Sequence, residues 1–161
     1  MTIAVGDPIP DVQLKMITDH GVEAVSTADV LGKGRVVLFG VPAAFSPTCS
    51  DVHLPGFVSH ADEIRGRGVD RIYCVSVNDP FVMAAWARSQ GVGDKVTLLA
   101  DGNGELARAM GLEIDLSRGG LGTRNKRYAA VIEDGIVTAL LLEEATGLDV
   151  SSAEGVLTAL A

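Results

Sequence analysis

The sequence predicts one α/β domain: a mixed central β-sheet flanked by helices, with an N-terminal extension. Three observations predict it. Two short apolar, β-rich runs, at 35–39 and 69–77, are separated by a helical stretch, the arrangement that joins parallel strands by a right-handed crossover. Two later runs, at 128–132 and 136–142, flank Glu133-Asp134-Gly135, the strongest hairpin signal in the chain. The 161 residues are enough for one substantial core and too few for two ordinary domains, so residues 1–161 are read as a single domain.

Each element has a local reason. Gly32-Lys33-Gly34 turns the chain into the buried strand 35–39. A helical pattern then runs from Pro47 to about Arg67; the proline of Leu54-Pro55-Gly56 should kink it, and Gly66 and Gly68 stop it. After strand 69–77, Asp79 reads as N-cap and Pro80 as the first residue of a helix through Arg88, ended near Gly91. Lys95 to Leu99 gives a third strand. A turn at Asp101-Gly102, a short helix from Glu105 to Met110 and a glycine-rich loop, Gly119-Gly120-Leu121-Gly122, lead to the hairpin. Ser151-Ser152-Ala153-Glu154 reads as a capping box for a last helix to Leu160. Parallel strands, a later antiparallel hairpin and a terminal helix together make a thioredoxin-like layout.

Composition narrows the function. Apolar residues make up 47% of the chain, but glycine, proline and charges interrupt them, and no run approaches the length of a membrane span. The net charge of −8 disfavours broad binding to nucleic acid or an anionic membrane. The first residues lack a basic start and an apolar signal core, so a cytoplasmic location is the default; a processed organellar protein would read the same. Two cysteines, Cys49 and Cys74, are far below the density of a disulfide scaffold, and with three scattered histidines they match no metal-ligand spacing. No metal and no bound cofactor is expected.

Chemistry concentrates in Val41-Pro42-Ala43-Ala44-Phe45-Ser46-Pro47-Thr48-Cys49-Ser50. With Ser46 as N-cap and Pro47 as the first helical residue, Cys49 falls at the third position of a helix. Unpaired backbone N–H groups and the positive end of the helix dipole favour a thiolate there, and the thiolate is the nucleophile. Pro42 can stiffen the loop and shield the sulfur from water. Ser46 offers a hydroxyl, and the N–H groups of Thr48 and Cys49 can bind an oxyanion. A fixed cation completes such a site. Arg118, Arg124, Lys126 and Arg127 cluster in the sequence; Arg127 is the first choice, on a strand face with Ala129 and Val131, and Arg124 the second.

Plainer readings stand beside these. A lone cysteine is often a small buried apolar residue, and Cys74, in mid-strand, is read mainly as structural. His53, one turn after Cys49, invites a cysteine–histidine pair. It is read instead as a structural or supporting residue, since the third group of a protease site is missing. His20 and His60 read as surface residues. Ser46 and Val52 stand three positions before and after Cys49, so the chain has no Cys-x-x-Cys dithiol. Val82 and Trp86 read as core, whereas Phe45 and Phe81 sit at loop-to-helix junctions where exposure is expected.

The segment Gly40 to Phe57, containing Pro42-x-x-x-Ser46-x-x-Cys49 and His53-Leu54-Pro55-Gly56-Phe57, resembles the active-site segment of type II peroxiredoxins, the peroxiredoxin-5-like branch. Cys74-Val75-Ser76-Val77-Asn78-Asp79-Pro80-Phe81-Val82-Met83 resembles the segment that follows in that branch. Lys126-Arg127-Tyr128 with Glu133-Asp134-Gly135 resembles its arginine strand and hairpin. The resemblance covers most of the chain. It implies a thioredoxin-fold thiol peroxidase acting on hydrogen peroxide or alkyl hydroperoxides, with Cys49 as the peroxidatic residue supported by Pro42, Ser46 and Arg127.

Two departures matter. Ser46 replaces the more usual threonine, keeping the hydroxyl without the methyl that restricts rotation. The resolving cysteine that some members carry near Thr146-Gly147-Leu148-Asp149-Val150 is absent. Cys74 matches a second cysteine of plant and bacterial-type members, which are reduced by an external thiol: glutathione with glutaredoxin, or thioredoxin. A Cys49–Cys74 disulfide would require local unwinding. The resemblance further implies a homodimer formed through the active-site face; Phe45 and Phe81, with Leu121, are the expected contacts. The alternative is a redox sensor, in which oxidation of Cys49 is passed to a partner and not turned over.

Overall fold

A computed structural model describes residues 1–161. Its strands are β1 (Gln13–Thr18), β2 (Gly21–Ser26), β3 (Arg35–Gly40), β4 (Arg71–Ser76), β5 (Thr97–Ala100), β6 (Glu113–Asp115), β7 (Thr123–Asn125), β8 (Tyr128–Glu133) and β9 (Ile136–Leu142). Its helices are α1 (Thr27–Val30), α2 (Leu54–Ser59), α3 (Ala61–Arg65), α4 (Pro80–Gln90), α5 (Glu105–Met110) and α6 (Ala153–Leu160). Seven strands form one sheet in the order β2-β1-β5-β4-β3-β8-β9, and β6 and β7 form a separate hairpin.

The central strands are buried on both faces, as continuous apolar runs require. β4 lies parallel to β3 and β5, and β8 lies antiparallel to β3. Side-chain alternation divides the core into two layers. Val37, Phe39, Cys74, Ala129 and Val131 face Phe57, Ile64, Trp86 and Val156 on the side of α2, α3, α4 and α6, and Cys49 belongs to this layer. Val36, Leu38, Tyr73, Val75, Tyr128 and Ala130 face Leu106 and Met110 of α5 on the other side. The β8–β9 turn is Asp134-Gly135 with both residues at positive φ (49° and 83°), the primed geometry that matches strand twist.

Gly40 ends β3 and hands the chain to the Val41-Pro42 loop. A Cβ there would collide with the Tyr128 ring, which lies directly opposite across β8. Gly40→Ala is expected to destabilise the fold by about 1–3 kcal/mol, the usual range for overpacking, seen as a lower urea midpoint at unchanged slope.

Several sequence expectations are corrected. The long helix from Pro47 is not one kinked rod. Pro47 and Thr48 are helical, Cys49–His53 is a π-helical turn, and α2 and α3 are separated at His60. Pro55 explains the wide turn: it has no N–H to give Asp51, so the Leu54 N–H reaches back five residues to the Cys49 carbonyl. The last helix is capped by Ser152, whose Oγ accepts from the Gly155 N–H at 3.1 Å, one residue later than the expected box. Asp79 caps α4 as expected, accepting from Val82 N at 2.9 Å. The N-terminal extension contains the hairpin β1–β2, which pairs with the main sheet through β5; the sequence reading named neither it nor β6–β7.

Candidate active site

The site lies where β3 ends and the helical segment begins, with the start of β8 alongside. Cys49 occupies the third helical position, and its sulfur is fully buried. The N–H groups of Thr48 and Cys49 donate to no acceptor within the chain, which leaves them free for an oxygen at the helix start. Phe45, immediately before Ser46, has φ of 67°, a costly conformation for a large side chain that holds the loop in a tight bend.

Arg127 reaches the sulfur. Its buried guanidinium donates from Nη2 to Cys49 Sγ at 3.2 Å, from Nη1 to His53 Nδ1 at 2.9 Å and from Nε to the Thr146 carbonyl at 2.9 Å. Three fixed directions leave the cation no freedom to turn away, and a charge-assisted bond of this kind is strongest when the sulfur is anionic. Arg127 and the apolar layer containing Cys49 lie on the same side of the sheet, as strand alternation requires.

His53 is tied at both ring nitrogens. Nε2 donates to the Ser151 carbonyl at 2.9 Å, since a carbonyl can only accept, and Nδ1 accepts from Arg127, since a guanidinium can only donate. The ring is therefore a neutral Nε2–H tautomer. Burial lowers its pKa from 6.5 to about 4; the Arg127 charge adds to the lowering, while the bond to Ser151 and the Glu143 charge oppose it.

The remaining sequence candidates fall as follows. Pro42 is buried beside the site. Ser46 does not use its hydroxyl as a helix cap: Oγ donates to the Ala43 carbonyl at 2.7 Å, and its own carbonyl accepts from the Ser50 N–H. The tight bend at Ala44-Phe45 brings Ala43 closer than any helical N–H. Arg124 is not at the sulfur; it donates to the Leu121 and Val77 carbonyls and ties the glycine-rich loop to the end of β4. Cys74 is buried between Phe39 and Leu98 on adjacent strands, and burial pushes its thiol well above its ordinary value, with Cys49 adding and Arg127 countering. Both cysteines are free thiols. His20 is exposed, and His60 bonds Glu63 and Glu154.

A cleft of about 390 Å³ opens over the site. Pro42, Ser46, Thr48, Leu116, Arg118, Leu121, Arg127 and Thr146 are among the residues that line it; Cys49, fully buried, is not. Sequence reasoning missed Thr146, Ser151 and Glu143. The first two act through backbone carbonyls, which side-chain patterns do not reveal, and Glu143-Glu144 reads in sequence as an ordinary solvated acidic pair.

A buried thiol at a helix start, held by a guanidinium, with free N–H groups and a cleft beside it, is an arrangement for attack on a small electrophilic oxygen. The family model described as Redoxin matches residues 4–157. The chloroplastic peroxiredoxin-2E-2 of Oryza sativa subsp. japonica is 52% identical over 99% of this chain and 73% of its own length. The chain belongs to the peroxiredoxin family. Arabidopsis thaliana peroxiredoxin-2B is 44% identical over 98% of each chain, and the crystal structure of reduced Prx3 in complex with hydrogen peroxide from Vibrio vulnificus superposes with a TM-score of 0.96 at 42% identity, covering 99% of this chain and 100% of that one. These peroxiredoxins support the type II assignment, the thioredoxin-like fold and a thiol-dependent peroxidase activity. No helix of this peroxiredoxin is long and apolar enough to cross a membrane.

Proposed function

We propose that residues 1–161 act as one catalytic domain in which Cys49 is the peroxidatic residue and Arg127, Ser46, Pro42 and the Thr48 and Cys49 N–H groups support it. The observation that carries this reading is the 3.2 Å bond from Arg127 Nη2 to Cys49 Sγ. The Cys49 thiolate attacks the terminal hydroxyl oxygen of the peroxide; an S–O bond forms, the O–O bond breaks, and the leaving alkoxide or hydroxide takes a proton from water. Arg127 and the free N–H groups face the charge that develops on the departing oxygen. The product is a sulfenic acid. A first external thiol condenses with it, releasing water and leaving a mixed disulfide. A second thiol attacks that disulfide and returns Cys49 as a thiol.

External reduction is supported by Cys74, which is buried, held in its thiol form and placed in mid-strand. The reductant proposed is glutathione with glutaredoxin, or thioredoxin. The cleft has room far beyond hydrogen peroxide, a molecule little larger than the roughly 30 Å³ of a water. Organic hydroperoxides are therefore substrates as well. A cytoplasmic setting is proposed because two cysteines in 161 residues are too few for a secreted disulfide scaffold.

The test is turnover. Peroxide consumed in large excess over protein, with either reductant system supplied, is the expected result; one equivalent consumed and no more would replace the enzyme by the redox-sensor reading. The homodimer is proposed through Phe45 (52% exposed), Phe81 (65% exposed) and Leu121, apolar side chains that a monomer leaves in water, the last of them lining the cleft. Wild type should sediment as a dimer and Phe81→Asp as a monomer; equal masses would remove this face as the interface.

A further inference from the structure

Glu143 follows β9 and is buried, yet it touches neither the sulfur nor the cleft over it. One of its carboxylate oxygens, Oε2, accepts three hydrogen bonds: from Asp149 N at 2.8 Å, Ser151 N at 2.8 Å and Ser151 Oγ at 2.6 Å. Its backbone N–H donates to the Arg127 carbonyl at 3.1 Å, so the same residue sits beside Arg127 across the sheet. The side chain thus closes the base of an irregular loop, residues 144–151, whose two ends it holds together.

That loop supplies most of what orients the guanidinium. Thr146 accepts directly from Arg127 Nε, and Ser151 accepts from His53 Nε2, which leaves His53 Nδ1 as the acceptor for Arg127 Nη1. The third direction, Nη2, then points at Cys49 Sγ. Nothing in residues 144–151 is regular secondary structure, and the carboxylate is what ties the far end of this stretch, next to the cap of α6, back to the end of β9.

We propose that Glu143 is a positioning residue for the peroxidase reaction: by gripping residues 149–151 it sets the Thr146 and Ser151 carbonyls, and through them and His53 it aims Arg127 at the Cys49 sulfur. This rests on the reading of Cys49 and Arg127 given above. A buried carboxylate with three donors could also be a loop anchor with no bearing on the chemistry, and the two roles differ in one measurable respect. A positioning residue acts only through the arginine that it positions.

A double-mutant cycle reads this difference. The rate of oxidation of Cys49 by hydrogen peroxide, followed by mass spectrometry as the gain of one oxygen, is measured for wild type, Glu143→Ala, Arg127→Gln and the double variant, with folding checked by circular dichroism. Alanine removes the oxygen that accepts all three bonds. Glu143→Ala is expected to slow oxidation by about 10–100-fold, as small misplacements at a site do. In the Arg127→Gln background the same substitution should change the rate by less than about twofold. An equal loss in both backgrounds, or no loss in wild type, overturns the proposal. An unchanged rate in Arg127→Gln alone overturns the underlying role of Arg127 and the positioning role with it. Should Glu143→Ala not fold, Ser151→Ala removes one of the three bonds and is read by the same cycle.

Discussion

Peroxide turnover is expected to fall by about 10²–10³-fold when Arg127 is replaced by glutamine, the usual cost of removing a preorganised donor from a developing anion, and to disappear when Cys49 is replaced by serine. Glutamine is long enough to stay in the pocket but cannot donate to Cys49, His53 and the Thr146 carbonyl at once. Arg127→Lys is expected to be nearly as slow. An ammonium is a single point charge, whereas the site uses a planar fork in three directions. Steady-state rates at saturating reductant, with circular dichroism to verify the fold, check both variants. A fully active Arg127→Lys protein would mean that charge alone suffices and that the bonding geometry is incidental.

Acid should weaken the fold through His53. Its pKa is held near 4 against an ordinary 6.5, first by burial. Above pH 6.5 the ring is neutral in the folded and unfolded chains alike, and its preference for the folded environment counts in full. As the pH falls toward about 4, the unfolded chain takes up a proton that the folded protein refuses, so stability declines with it. Below that, both forms carry the proton and the slope ends. The loss amounts to about 3 kcal/mol. Urea midpoints at pH 7 and pH 4 measure it, and His53→Asn should flatten the dependence in this window. Within the folded enzyme the same proton would put an N–H where Arg127 now donates, so activity should fail near pH 4 even before unfolding. Stability equal at the two pH values would show that the buried ring is not the group that resists protonation.

How much of this was readable in advance depends on the kind of interaction. Cys49, Pro42 and Arg127 stand out because the chemistry needs particular side chains at particular turns, and proline and glycine punctuate the chain around them. The central strands are equally plain, as buried β-rich runs such as Val36-Val37-Leu38-Phe39 have few other uses. The sequence favours Arg127 over Arg124 because a strand position fixes a side chain better than a loop; in the structure it is Arg124 that lies in a strand, β7, where it braces a loop, while Arg127, just before β8, meets the sulfur. The π-helical turn was hidden because Pro55 signals a disturbance without saying on which side it falls or whether the axis bends or the turn widens. The Ser46 hydroxyl was misassigned because a nearby loop carbonyl competes with helix N–H groups, and that competition is settled only in three dimensions. Thr146 and Ser151 contribute carbonyl oxygens that every residue type possesses. No pattern in the sequence distinguishes them.

Complete burial of the Cys49 sulfur divides the two halves of catalysis by size. The cleft beside the sulfur has room for the slim end of a hydroperoxide, but not for a cysteine carried on the folded surface of a glutaredoxin or thioredoxin. On the proposed external-thiol route, a cysteine carried by a folded reductant is therefore expected to reach the oxidised sulfur only when the first turns of the active-site segment come away from the core. The rhythm of the cycle under steady oxidant supply is then set by how readily that segment peels open.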